Sequence, residues 1–421
     1  MPKRASTDPH VDRVLPELAS ALRYMARQPI LDLRGRVHGY ELLFRSGPEP
    51  AFRGDGDLAT RTMIDNTLIF GMEKLARGLP GFVNCTAETL MQQQVGLLPT
   101  SMTVLEILEN IEPTPELIAA VSKLKGQGFR IALDDFVWKP SIEPLVRLAD
   151  YIKVDFIKSD REERREILSE LKRFPVALVA EKIENREEYE EACMEGFTLF
   201  QGYYFCAPAL LTQRKIPANN MFHLQLLQLL QEHPLDQNKL SELVKRDASL
   251  TYRLLRLVNS PTCAIRQEVR SIQAALLAVG DDLFRRIATL AIASEFNAGH
   301  SSELLLMAFT RARFCELASG LGELDPAEQY ILGIFSLLPA MLEAPMVEVI
   351  ASLPLRRPVR DSLLGTANET RCLLEWAEAE EHGDWDRRDA IAQSQRLDSD
   401  KLTACYAEAV LWAEQTVAVQ D

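Results

Sequence analysis

The chain has 421 residues and a net charge of −14. That is long enough for two domains with separate cores and too acidic for a broad electrostatic footprint on DNA or RNA, although a local basic pocket could hold a small anion. Apolar residues make up 47% and charged residues 26%, which excludes wholesale disorder. No stretch approaches the roughly 18 uninterrupted apolar residues of a membrane-spanning helix.

The opening "MPKRASTDPH" lacks the apolar core of a secretory signal. The seven cysteines, scattered from Cys85 to Cys405, form no CxxC pair and no His/Cys cluster. A cytoplasmic protein with reduced thiols is expected, and a zinc finger is not. From residue 21 onward, short β-rich runs alternate with helical stretches. The runs are "YMARQPILDL", "HGYELLF", "GFVNCT", "MTVLEIL", "RIALDDF", "YIKVDFI", "VALVAEKI" and "TLFQGYYF". Helical patterns lie between most of them: "LATRTMIDNTLIFGMEKLARG", "TPELIAAVSKLKGQG", "EERREILSELKRF" and "REEYEEACMEG". Gly78, Gly126 and Gly196 stand where helix C-terminal caps belong. This alternation predicts a parallel sheet with helices outside, and eight strands favour a (β/α)8-like barrel over an open doubly wound sheet.

Near residue 210 the pattern changes. "QRKIPANN" is polar and carries Pro217, as a linker would. Beyond it the spacing of apolar residues predicts helix almost throughout, giving an α/β barrel followed by an all-α domain. Asn259-Ser260-Pro261 breaks one helix, Ser271 is placed to cap the next, and Gly280 closes it. The segment from about Leu373 to Val417 is also helical, interrupted around "EHGDWD". The expected division is an N-terminal extension (1–20), a barrel (21–213) and a helical domain (214–421).

In a parallel barrel, functional groups gather at the C-terminal ends of the strands. Read in order, those ends carry Glu41, Asn84, Glu106, Asp134 with Asp135, Lys153 with Asp155, Glu181 and Gln201. Taken singly, an acid after a strand is more often a helix cap, and Asn84 or Gln201 a turn former. Taken together, like charges at one barrel mouth would repel unless cations, or Lys153 and Arg45, offset them. The donors are hard oxygens without histidine or cysteine, a set that suits Mg²⁺ or Mn²⁺.

These residues carry a resemblance. "RQPILDLRGRVHGYELLFR" is similar to the opening of an EAL domain, the barrel that cleaves the bacterial messenger cyclic di-GMP. Its Glu-x-Leu-x-Arg signature is met by Glu41, Leu43 and Arg45. The likeness continues through "FVNCT", "LEILE", "LDDF", "IKVD", "AEKIE" (Glu181, Glu184) and "FQGYYF". It implies that Glu41, Asn84, Glu106, Asp134, Asp135 and Glu181 hold two metal ions and that Lys153 positions the attacking water, with Glu41 and Glu181 also essential to the reaction. It further implies that Arg45 contacts a ligand phosphate, with Gln28, Leu43, Asp155 and Gln201 lining the substrate site. The second half resembles the HDOD domain through "DASLTYRLLRLVNSP", "SIQAALLAVGDDLFRRIATLAIAS" and "YILGIFSLLPAM". HDOD domains are helical relatives of HD-type phosphohydrolases without their metal ligands. Here no histidine past residue 210 precedes an aspartate, so a role in docking a signalling protein is implied.

The sequence departs from the EAL pattern after the paired acids. Active members follow them with Gly-Thr-Gly; this chain has Val137-Trp138-Lys139 and then Pro140. Glycines allow positive φ and close approach, a freedom that Trp138 and Pro140 remove. In the family that loop also couples to dimer contacts, which leaves a homodimer open. Leu42 replaces a small residue, Leu108 a threonine, and Lys182 a glycine beside Glu181, adding a cation at the mouth. Two functions therefore stand. One is a Mg²⁺- or Mn²⁺-dependent phosphodiesterase, slow or conditional, that binds cyclic di-GMP. The other is a catalytically inactive receptor or scaffold acting through protein contacts. An unrelated metal-dependent barrel would have to share all these motifs by chance.

Overall fold

The structure of the chain, a computed structural model, describes residues 25–44, 64, 71–204, 218–230, 234–245, 247–259, 263, 265, 269–297, 301–342, 344–351, 353 and 355–418. It divides into two units. The first runs to Tyr204 and takes back the segment Glu378–Ala390; the second comprises Phe205–Ala377 and Ile391–Asp421.

The first unit is built on a closed barrel in which β1 (Met25–Asp32), β2 (Val37–Phe44), β3 (Gly81–Cys85), β4 (Thr103–Ile107), β5 (Arg130–Leu133), β6 (Tyr151–Asp155), β7 (Ala177–Glu181) and β8 (Leu199–Gln201) follow one another around the ring. Each predicted strand is present, but the barrel is not wholly parallel. β1 runs antiparallel to both β2 and β8. The reason is local: only Leu33–Arg36 separate β1 from β2, too few for a crossover, which takes a dozen residues or more. Asp32 Oδ1 accepts the amides of Arg34 and Arg36 at 2.8 and 3.0 Å, and Gly35 takes a positive φ of 70° to close the turn.

Side chains on a strand alternate between faces. One inward layer holds Ile30, Phe82, Val104, Ala132, Tyr151, Val179 and Leu199, a single buried cluster with one residue from each of seven strands. On β2 the matching position is Gly39, where a Cβ would come within 2.9 Å of the Phe82 ring; the large neighbour fills that space. Two residues further toward the mouth on every strand stand Glu41, Asn84, Glu106, Asp134, Lys153, Glu181 and Gln201, and on the reversed β1 the equivalent residue is Gln28. A packed apolar floor thus carries one polar layer.

Helices outside the barrel begin where capping chemistry predicts. Thr114, Asp160 and Asn185 accept backbone amides at the starts of Pro115–Gly126, Arg161–Leu171 and Arg186–Glu195. Gly196 closes the last of these in the left-handed conformation. Gly126, however, remains inside its helix, and Gly128, φ 102°, makes the turn instead.

The second unit is helical around one large apolar core. Ser271 caps Ile272–Phe296 by accepting the amide of Ala274, and Gly280 interrupts that helix with φ 75° and ψ 168° before a further helical run. Asn259 ends Ala248–Val258 and clamps Val269 from both sides: its Nδ2 donates to Val269 O at 2.8 Å and its Oδ1 accepts Val269 N at 2.7 Å. Helices Ser302–Ala318 and Pro326–Phe335 cross at Gly333, where a Cβ would lie 2.5 Å from Arg311 O. The segment predicted as linker falls partly on residues outside those described.

Candidate active site at the barrel mouth

Lys153 Nζ, fully buried, stands at the centre of the polar layer. Glu181 Oε1 lies 2.7 Å from it, Glu106 Oε1 2.8 Å, Glu41 Oε2 2.9 Å and Asp134 Oδ1 3.0 Å. Glu41 is further fixed by donors on both oxygens. Asn84 Nδ2 donates to Oε1 at 3.0 Å and Gln201 Nε2 to Oε2 at 2.6 Å, while Gln201 Nε2 also donates to Gln28 Oε1 at 2.8 Å. Gln28 reaches this network only because β1 is reversed.

The electrostatics follow from four carboxylates sharing one ammonium. Burial raises Glu106 well above the usual carboxylate range, and the charges of Glu41 and Asp134 add to the rise against the pull of Lys153. Glu181 is pushed up to about 8, first by burial and then by Asp134 and Glu41. Asp134 is raised by burial and by Glu41. Glu41 alone goes down: burial pushes it up, but Lys153, Gln201 and Asn84 outweigh that. Burial would strip Lys153 of its proton, yet its four acidic neighbours hold it well above the ordinary lysine value.

Asp135 and Asp155 stand apart from this layer. Asp155 is buried; its Oδ1 accepts the amides of Ile157 and Lys158 at 2.7 and 3.1 Å, and its Oδ2 takes the Lys182 ammonium. Burial would raise Asp155, but Lys182 and the two amides leave it below the usual range. Asp135, at φ 42°, pairs through Oδ2 with Lys158, and its Oδ1 lies 3.8 Å from Lys182. The role of Lys158 was not read from the sequence, where it lies in the turn after β6 with no motif around it. Leu43 is half-buried next to the layer, two residues beyond Glu41, and Glu184 is exposed. Arg45 lies outside the described residues.

The residues present fit a divalent cation. The donors are all oxygens, and Glu106 Oε2 is buried and accepts no hydrogen bond among the described residues, as is Gln201 Oε1. Among the described residues no three His, Cys, Asp or Glu side chains already stand as a metal cage; the carboxylates are gathered around Lys153 Nζ instead, so an ion would have to share them with it. In the second unit, His223 Nε2 meets Asp247 Oδ2 at 2.9 Å, a pair distant in sequence, and Asp247 also caps a helix through Leu250 N.

The loop after β5 is ordered by packing. Phe136 is buried, and its amide donates to Lys153 O at 2.9 Å. The Trp138 ring lies 6.3 Å from that of Phe174, with the Arg173 guanidinium over both rings at 5.7 and 5.1 Å. Between Asp134 and Pro140 only Asp135 has a positive φ. No helix among the described residues is long and apolar enough to cross a membrane.

The family model for the EAL domain matches residues 72–208 and that for the HDOD domain residues 216–342. The uncharacterized protein YuxH of Bacillus subtilis is 35% identical over 404 residues, 92% of this chain and 97% of YuxH. The cyclic di-GMP phosphodiesterase CdgJ of Vibrio cholerae is 31% identical over 402 residues, 93% of this chain and 92% of CdgJ. The crystal structure of an EAL domain protein from Listeria monocytogenes shares 22% identity over 48% of this chain and 94% of that one, with a TM-score of 0.36. With two relatives above 30% identity matched almost end to end and both domain models in order, the chain belongs to the family of two-domain proteins in which an EAL domain is followed by an HDOD domain.

Proposed function

We propose that the barrel mouth binds a divalent cation, Mg²⁺ or Mn²⁺, together with cyclic di-GMP, and hydrolyses the dinucleotide slowly or conditionally. The observation that carries this reading is the polar layer itself: four carboxylates face one ammonium, and a buried Glu106 oxygen accepts no hydrogen bond among the described residues. CdgJ is a cyclic di-GMP phosphodiesterase, and the match along most of both chains supports the same ligand here.

Glu41, Asn84, Glu106, Asp134 and Glu181 would hold the cation, with Asp135 at its edge. A bound divalent ion supplies positive charge that polarises a phosphodiester and eases deprotonation of a water. Lys153 would orient that water, and Asn84 and Gln201 keep Glu41 pointed inward. Arg45 would grip a phosphate with two parallel hydrogen bonds, which a lysine cannot do; Gln28, Leu43, Asp155 and Gln201 complete the dinucleotide site. The division into residues 21–213 and 214–421, a cytoplasmic location, homodimerisation and the docking of a signalling protein on the HDOD half belong to the same proposal.

The second reading, an inactive receptor or scaffold, draws support from the pinned loop and from the lysines on Asp135 and Asp155. Calorimetry with cyclic di-GMP in Ca²⁺, Mg²⁺ and Mn²⁺, with chromatography of the product, separates the two. The expected result is cation-dependent binding and slow release of the linear dinucleotide, with Mn²⁺ at least as effective as Mg²⁺. Absence of binding under every cation condition would leave the scaffold. Brisk hydrolysis would mean that the loop is no impediment.

A further inference from the structure

The acids at the mouth form two tiers with different charge balance. In the inner tier Glu41, Glu106, Asp134 and Glu181 share Lys153 as their one ion-pair partner among the described residues. In the outer tier Asp135 and Asp155 face two ammonium groups, those of Lys158 and Lys182. The inner tier keeps an excess of negative charge and a buried oxygen, Glu106 Oε2, that accepts no hydrogen bond among the described residues. The outer tier is already neutral: both oxygens of Asp155 are engaged, and Asp135 Oδ1, which accepts no hydrogen bond among the described residues, faces the Lys182 ammonium at 3.8 Å.

Lys182 is held in place by backbone. Its φ is 56°, in the region that favours glycine. The neighbouring Ile183 donates to Gln201 O at 3.1 Å and accepts the amide of Tyr204 at 3.0 Å. Gly202 allows this approach, since a Cβ there would come 2.1 Å from Ile183 O. The turn is therefore bolted to the end of β8. A glycine at position 182 would adopt the same backbone without strain, so the lysine is present at a conformational cost and its ammonium is what the cost supports.

We infer that Lys182 is a built-in counter-cation that occupies the outer acids and limits the mouth to one divalent ion. The inference rests on the reading that the inner tier takes such an ion. It assigns Lys182 as a positioning residue for the cation complement, since it acts on Asp155 and Asp135 and not on a substrate.

The test counts ions on the full chain after chelator treatment, by titration with Mn²⁺ and electron paramagnetic resonance of the free ion. The natural sequence should take up one Mn²⁺ per chain, and Lys182→Arg likewise one. Lys182→Gly, which relieves the backbone strain, and Lys182→Gln, which keeps most of the stem without the charge, should each take up two. Two ions on the natural sequence, or one on both neutral variants, would overturn the inference while leaving divalent binding intact. No ion on any of the four proteins would overturn both.

Discussion

Lys153 Nζ has four carboxylate oxygens within 3.0 Å and no exposure to solvent. A buried ammonium in such surroundings is hard to replace, because removing one partner of a buried ion pair leaves uncompensated charge at a cost of about 3–5 kcal/mol. Lys153→Met should therefore lower the stability of metal-free protein by about that amount. Urea denaturation in chelator checks the loss. Repeating it in Mn²⁺ should recover part of the stability, since a cation in the layer takes over the neutralising role. A variant as stable as the natural sequence in chelator would mean that the four acids are protonated and carry little charge between them.

At the scale of elements, the loop after β5 differs from its expected character in one respect. Its backbone uses ordinary conformations except at Asp135, so glycine is not needed for this path. What fixes the loop is the Trp138 ring against Phe174 under Arg173, with Pro140 opening a short turn. A pinned loop cannot follow a reacting group, and a misplacement of about 1 Å can cost roughly 100-fold in rate. Replacing Val137-Trp138-Lys139 by Gly-Thr-Gly should thus raise hydrolysis by about 10-fold or more while lowering stability by about 1 kcal/mol through the lost cation–π packing. Product formation and thermal unfolding measured on the same preparation check both halves, and an unchanged rate would place the limit elsewhere.

For the molecule as a whole, the proposed cation chemistry is expected in the barrel and not in the helical unit. The helical unit offers His223 paired to Asp247, an aspartate already committed to a helix start. Glu106→Gln should reduce Mn²⁺ affinity of the full chain by about 10-fold or more, whereas His223→Ala should leave it unchanged. Equilibrium dialysis checks both; a loss with His223→Ala would assign the helical unit a metal of its own.

The strand count, the order of the strands and most of the polar layer were legible in the sequence, because each depends on rules acting over a few residues. A buried apolar residue followed two positions later by a polar one, as in Val104 and Glu106 or Val179 and Glu181, marks a strand whose inward face turns polar at the mouth. The helix start at Ser271 was equally local. The reversal of β1 followed from the short turn to β2, but the arrival of Gln28 beside Gln201 depended on the barrel closing. So did the pairing of Lys158 with Asp135 and of Lys182 with Asp155, which lie 23 and 27 residues apart. Local propensity places a charge at a strand end. Which opposite charge meets it is decided by how neighbouring loops converge, and only the closed barrel brings those loops together.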